Sequence, residues 1–304
     1  MKNQTKIVLA TEFSATCEVA RAHAEALARA VGAELHVLFV DVPAGEYEAW
    51  DPAYRVLDSE PKEASVSEAR MADYVRDLDL PVVSSVVHNV DAGDAILDYA
   101  ELKAADFIVV GTHARRGIKR LLLGSVAGKV VRNAKVPVLV VGPDQAPAES
   151  GFRHLLVATD YSESAAMAAR HAYQFACRSA SQVTLLHVID ERQLPSYFRD
   201  LMLGSARGRA RAAMDKLIEG FEGGPSLDKK IQLGLPADVI AECAEDIDAD
   251  LIVMASSGMN ALERVVLGST AAQLLREAPC PVLVYPHVVS DVQIERKADQ
   301  LPVI

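Results

Sequence analysis

The chain alternates short, wholly apolar runs with longer segments whose apolar residues recur every three or four positions. Ile7-Val8-Leu9-Ala10, Phe107-Ile108-Val109-Val110 and Val138-Leu139-Val140-Val141 are runs of the first kind, the pattern of strands covered on both faces of a parallel sheet. Ala15 to Val31 has helical periodicity, with Ser14 as the expected N-cap and Gly32 as the stop. The same pattern predicts strands over Glu34–Val42 and Pro81–Val87, and helices over Glu60–Arg76 and Ala92–Ala104. A further helix opens at Gly124-Ser125, where Val126, Val130 and Val131 share a face.

The pattern is then written a second time. Ile7-Val8-Leu9-Ala10-Thr11-Glu12-Phe13-Ser14 matches Leu155-Leu156-Val157-Ala158-Thr159-Asp160-Tyr161-Ser162 at an offset of 148 residues. Phe107 to Val141 matches Leu251 to Tyr285 at an offset of 144. The second copy has its own predicted strands at Val183–Ile189 and Lys229–Leu233 and a helix at Ala206–Phe221. A repeat this long means duplicated domains, since each copy can bury a core of its own. Each half reads β-α-β-α-β-α-β-α-β. The fold class is therefore α/β: two tandem, doubly wound, five-stranded parallel-sheet domains of Rossmann-like type. The expected bounds are 1–142 and 151–287, with a Pro-containing polar linker at 143–150 and a tail of mixed charge at 288–304. The polar segment Pro43–Asp51, which holds Trp50, reads as an irregular excursion at the carboxyl edge of the sheet.

Composition narrows the function classes. Half of the residues are apolar, enough for two cores. No apolar stretch reaches the length of a membrane span, and Met1 to Thr5 lead straight into a strand, so a cytoplasmic protein is expected. The formal charge of −11 argues against nucleic acid as the main partner. Cys17, Cys177, Cys243 and Cys280 are widely spaced and lack a CxxC, which suits neither a disulfide framework nor a zinc site. Cys177 and Cys243 fall in helical patterns and are expected to be buried thiols.

In an open α/β sheet, ligands bind beyond the carboxyl ends of the strands, where the strand order reverses. The ends of the first, second and fourth strands should converge there, near Glu12, Val40 and Gly111 in the first half and near Asp160, Val188 and Ala255 in the second. Two spaced motifs follow the fourth strand: Gly111-x-x-Ala114-x9-Gly124-Ser125 and Ala255-x-x-Gly258-x9-Gly268-Ser269. A strand, a glycine loop and a helix N-terminus together present unpaired N–H groups and a positive helix end to an anion. A Gly-Ser pair alone is more often an ordinary helix start; the fixed spacing, present twice, favours phosphate contact. An acidic residue after the first strand can accept from a nucleoside hydroxyl or amine, or it can simply support a turn. Arg115, Arg116, Lys119 and Arg120 could neutralise phosphates or form a solvated face. Arg207, Arg209 and Arg211 follow Leu203-Gly204-Ser205, a triplet without a preceding strand that reads as a decoy. His36, His88 and His187 lie in or beside strands and read as structural. GxxxxGK[ST], GxSxG and GxGxxG are all absent, and no metal pattern is present.

The duplicated motif resembles the G-x-x-G-x9-G-[ST] nucleotide loop of universal stress proteins, and the resemblance covers about Lys6 to His287. It implies an adenine-nucleotide site holding ATP, ADP or AMP, with or without Mg²⁺. By that resemblance Asp160, beside Thr159, and the backbone of Val188 hold adenine and ribose, and Ala255 lies beside the ribose. Gly258, Gly268, Ser269 and Thr270 hold the phosphates. Glu12, Val40, Gly111, Ala114, Gly124 and Ser125 are the matching positions of the first half. The second half keeps the aspartate and both phosphate-side glycines and is the favoured site. The family also pairs domains through the last strand, so Pro137–Val141 and Pro281–Tyr285 are expected to pair within the chain, with a homodimer of whole chains as a further expectation. The function implied is a stress-response regulator read by a partner protein, with at most slow ATP hydrolysis. A scaffold with degenerate sites and an adenylating or hydrolytic enzyme of the same fold group are the alternatives.

Overall fold

A computed structural model describes residues 4–42, 62–112, 123–146, 151–194, 197, 199–221, 223–257 and 267–287. The first repeat contributes β1 (Lys6–Thr11), α1 (Ala15–Val31), β2 (Glu34–Asp41), α2 (Lys62–Val75), β3 (Val82–His88), α3 (Ala92–Leu102), β4 (Phe107–Gly111), α4 (Ser125–Asn133) and β5 (Val138–Val141). The second contributes β6 (His154–Ala158), α5 (Glu163–Ser179), β7 (Gln182–Asp190), α6 (Arg199–Leu217), β8 (Leu227–Gly234), α7 (Pro236–Asp246), β9 (Leu251–Ala255), α8 (Ser269–Glu277) and β10 (Val282–Tyr285). Among the described residues no helix is long and apolar enough to cross a membrane.

The ten described strands form one sheet in the order β3-β2-β1-β4-β5-β10-β9-β6-β7-β8. Each repeat is parallel within itself, as the apolar runs require, because both faces are covered. Ile7, Leu9, Phe107 and Val109 point to one face and pack under α1, α2, α5 and α6. Val8, Ile108 and Val110 point to the other, under α3, α4, α7 and α8. The repeats keep the same local devices. Asp106 Oδ2 accepts from the Lys6 N–H at 2.8 Å, and Asp250 Oδ2 accepts from the His154 N–H at 2.9 Å. Each aspartate thus ties the start of its repeat to the turn before the fourth strand.

The two repeats meet through β5 and β10, which run antiparallel with Val138 opposite Val284 and Val140 opposite Val282. Every residue of both strands is buried. Left alone, each would be an uncharged apolar edge, the kind of strand that templates unwanted pairing. The linker is fastened to this seam: Gln145 accepts from the Gly142 N–H at 2.8 Å and donates to the Ala278 carbonyl at 3.3 Å. Over the seam, α1 and α5 carry a duplicated histidine, His23 and His171, again 148 residues apart. His23 lies against Phe152, ring centroids 6.2 Å apart, and His171 against Tyr285 at 5.5 Å.

Two expectations are corrected. Cys177 is exposed, whereas Cys17, Cys243 and Cys280 are buried; on α5 the buried stripe ends at Ala176, and Cys177 faces away from the sheet. Helix α6 begins at Arg199, seven residues before the expected start, because Leu203-Gly204-Ser205 lies inside it. Gly204 has open space around it, so an exposed helical face accommodates it without a turn. His88, expected to be structural, ends β3 as an exposed side chain paired with Asp41 at 3.2 Å. The excursion Pro43–Asp51 and the tail 288–304 lie outside the described residues.

Candidate functional site

In each repeat the first and fourth strands are neighbours, β1 with β4 and β6 with β9. The chain turns outward on either side of that pair, which opens a crevice beyond the carboxyl ends. In the second repeat the crevice is a cavity of about 860 Å³, the size of ordinary small-molecule sites. Its walls are the exits of β6, β7 and β9, one side of α6 and the first turns of α7 and α8. Thr159, Asp160, Val188, Ala255, Gly268, Ser269 and Thr270 all line it. In the first repeat Glu12 follows β1, Val40 lies near the end of β2, Gly111 ends β4, and Gly124-Ser125 opens α4. Gly258 and Ala114 lie outside the described residues.

The turn that presents Asp160 is built identically in both repeats. Thr159 Oγ1 accepts from the Tyr161 N–H at 3.0 Å, as Thr11 Oγ1 does from Phe13 at 3.0 Å. Tyr161 and Phe13 sit at φ 65° and 61°, a left-handed conformation that costs a non-glycine residue about 1–2 kcal/mol. Aromatic packing holds it. Tyr161 stacks on His187 at 4.4 Å and donates its hydroxyl to the Ala210 carbonyl of α6 at 2.8 Å. Phe13 packs on Phe39 at 4.8 Å, with the Arg70 guanidinium 4.8 Å from its ring. Asp160 itself accepts from the Ser162 N–H at 3.0 Å, which aims its turn at the helix start.

Helix α8 also begins at the cavity. Its N-cap is Gly268, and among the described residues no side chain caps it; α4 begins the same way at Gly124. By contrast, Ser14, Asp91 and Ser162 cap α1, α3 and α5 through their side chains. An uncapped helix leaves its first N–H groups in need of acceptors and carries a positive partial charge. Gly268 donates its own N–H to the Ser256 carbonyl at 2.8 Å. A Cβ there would lie 3.4 Å from that oxygen and 3.6 Å from Ser257 Cα, so a larger side chain has only the cavity to fill.

The alanine at 255 has a packing explanation. At the matching Gly111, a Cβ would stand 3.1 Å from the Thr16 γ-methyl. The counterpart of Thr16 in the second repeat is Ser164, which has no methyl and is buried. The methyl group has moved from the helix to the strand. Ala255 is thus a compensated exchange between α5 and β9.

A model described as the universal stress protein family matches residues 4–142 and again residues 151–286. The chain belongs to the universal stress protein family. A Staphylococcus epidermidis protein assigned to the same family is 32% identical over 140 residues, covering 44% of this chain and 83% of its own. A universal stress protein from Archaeoglobus fulgidus superposes with a TM-score of 0.69 at 23% identity, over 93% of this chain and 99% of its own. A Pseudomonas aeruginosa protein gives 0.67 at 17% identity, over 99% and 98%. Both likenesses are of fold, and both span the two repeats.

Several residues of this universal stress protein's cavity escaped the sequence reading. His187 lines it; its Nδ1–H donates to the Thr159 carbonyl at 2.8 Å, and burial pushes its pKa down. Tyr161 and Arg209 line it as well. Arg192, at the rim, is engaged by Asp190 through Nε–Oδ1 at 2.9 Å and a second contact at 2.6 Å. That pairing holds the Asp190 carboxyl below its usual range. A signal for the Tyr161–His187 pair was available, since Phe13 and Phe39 occupy the same two positions in the first copy.

Proposed function

We propose that this universal stress protein binds an adenine nucleotide in the cavity of its second repeat and acts as a cytoplasmic stress-response regulator, its occupancy read by a partner protein. The domains would be 1–142 and 151–287, joined by 143–150. One observation carries the reading: the uncapped start of α8 at Gly268 opens into the same 860 Å³ cavity as Asp160. An anion-seeking helix end and a hydrogen-bond-accepting carboxylate in one cavity suit a ligand with phosphates at one end and hydroxyl or amine donors at the other.

Asp160 and the Val188 backbone would take adenine and ribose, with Ala255 beside the sugar. Gly268, Ser269, Thr270 and Gly258 would take the phosphates. Among the described residues no group of three or more His, Cys, Asp or Glu could hold a metal ion, so a Mg²⁺ would arrive coordinated by phosphate oxygens. Glu12, Val40, Gly111, Ala114, Gly124 and Ser125 form the weaker counterpart, with a longer and exposed acid at position 12.

The test is isothermal titration with ATP and Mg²⁺ on the unmutated chain and on Gly268→Val and Gly124→Val. Binding lost in Gly268→Val and retained in Gly124→Val is the expected result. A nucleotide-free chain that gives no heat with ATP, ADP or AMP would overturn the reading.

A further inference from the structure

The seam between the repeats contains polar groups that no structural role accounts for. His23 is 2% exposed, and neither ring nitrogen has a hydrogen-bond partner. His171 is 7% exposed. The Tyr285 hydroxyl and Gln174 Oε1 are likewise buried without partners. A helix over an apolar sheet gains more from Leu or Phe at such a position, since an unpartnered buried polar group costs free energy. Both repeats nevertheless place a histidine there, at the same offset that relates their first strands.

The surroundings belong to the joint itself. His23 projects from α1 of the first repeat onto residues of the linker and the second repeat: Phe152 and, near enough to act on its charge, the Ala146 backbone and Asp250. Asp250 is shared with Arg153 at 3.9 Å and with the backbone N–H groups of Arg153 and His154. His171 projects from α5 toward Tyr285, on the strand that pairs with β5, and the charged group acting on it is Arg170. One carboxylate is therefore set against one guanidinium, and the acceptor a charged His23 would meet is the Ala146 backbone of the linker.

We propose that this seam is an acid-responsive joint, held closed by His23 and His171 only while both rings are neutral. Burial depresses both pKa values below the ordinary 6.5, His171 to about 4. An opened seam returns the rings to water and to ordinary basicity. Between the two values the open form binds protons that the closed form refuses, so closure is favoured above about pH 6.5 and weakens as pH falls. Each histidine can shift the closed–open equilibrium by up to about tenfold per pH unit in that window. His36 on β2 and His187 on β7 are also held below their ordinary pKa by burial, but His36 is hydrogen-bonded to Tyr99 and Glu34 and His187 to the Thr159 carbonyl, so opening is expected to begin at β5, β10 and the helices above them.

Hydrogen–deuterium exchange of the full chain, read by mass spectrometry at pH 7 and pH 5 and divided by intrinsic amide rates, tests this. Peptides from β5 and β10 should lose more than tenfold of their protection at pH 5, while β1 and β6 keep theirs. The His23→Phe/His171→Phe double variant should retain seam protection at both values. If that pair does not fold, His23→Leu and His171→Leu are used singly, each expected to remove part of the effect. Seam peptides that stay protected in the unmutated chain at pH 5 overturn the proposal. So does an equal loss in the variants.

Discussion

The contact between β4 and α1 offers a sharp test of how the two repeats were tuned. Substituting Gly111→Ala places a Cβ 3.1 Å from the Thr16 γ-methyl and 3.6 Å from the Thr16 carbonyl oxygen. Ordinary contact for such a pair begins near 3.4 Å, so the γ-methyl or the helix must give by a few tenths of an ångström, while Ala20 at 3.8 Å is already in ordinary contact. Overpacking of one methylene in a tight interior costs about 1–3 kcal/mol. Removing a strand glycine returns about 0.5–1 kcal/mol through the unfolded chain. The net expectation is a loss of about 0.5–2 kcal/mol. Thr16→Ser alone deletes a methyl group and costs about 0.5–1.5 kcal/mol. The double variant reproduces the Ser164–Ala255 arrangement of the second repeat and should be nearly as stable as the starting chain. The cycle therefore predicts a favourable coupling of about 1–3.5 kcal/mol. Urea unfolding followed by circular dichroism at the helical band gives all four free energies. Effects that add to within about 0.5 kcal/mol would show that the methyl exchange is coincidental.

Other substitutions follow from the same geometry. Ala180 closes α5 at φ 55° and is exposed, where Gly32 closes α1 at φ 67°; Ala180→Gly should raise stability by about 1 kcal/mol, visible as a higher thermal midpoint. His187→Phe installs the residue of the first repeat and removes the donor to the Thr159 carbonyl. If Asp160 contacts the ligand, nucleotide affinity should fall several-fold, with a lower thermal midpoint from the orphaned Thr159 carbonyl, and His187→Asn, which retains a donor, should recover part of both. Gly224→Ala would drive a Cβ onto the Tyr173 hydroxyl and to 2.6 Å from both Tyr173 Cζ and Cys177 Sγ; a loss of about 1–3 kcal/mol is expected, and Tyr173→Phe, which keeps Cζ, should not restore it. An unchanged urea midpoint for Gly224→Ala would refute that packing.

Much of this was legible in the chain because the signals are local. Ser14 and Gly32 bracket α1 as their capping chemistry requires, and the apolar runs mark the buried strands to within a residue or two. Duplication did the rest, since a motif that recurs at fixed spacing outweighs any single match. The residues that sequence missed are set by tertiary placement. Nothing near Arg209 tells that α6 turns that side to the cavity. His187 looks like a core histidine until the β6 exit turn is seen to need its donor. The start of α6 was misplaced because Leu203-Gly204-Ser205 carries turn residues on a face that solvent, not packing, decides. The exchange of a methyl between Thr16 and Ala255 cannot be read from either position alone.

Because β5 and β10 belong to one polypeptide, their association does not depend on protein concentration. Two separate chains joined along this edge would come apart on dilution, whereas a tether keeps the partners at an effective concentration of order millimolar. The two halves are also always present in equal number and always as unlike partners. A homodimer must place the same substitution on both sides of its axis; this chain need not. One crevice can keep aspartate and glycine while the other drifts to Glu12 and Ala114, and every molecule still carries one of each.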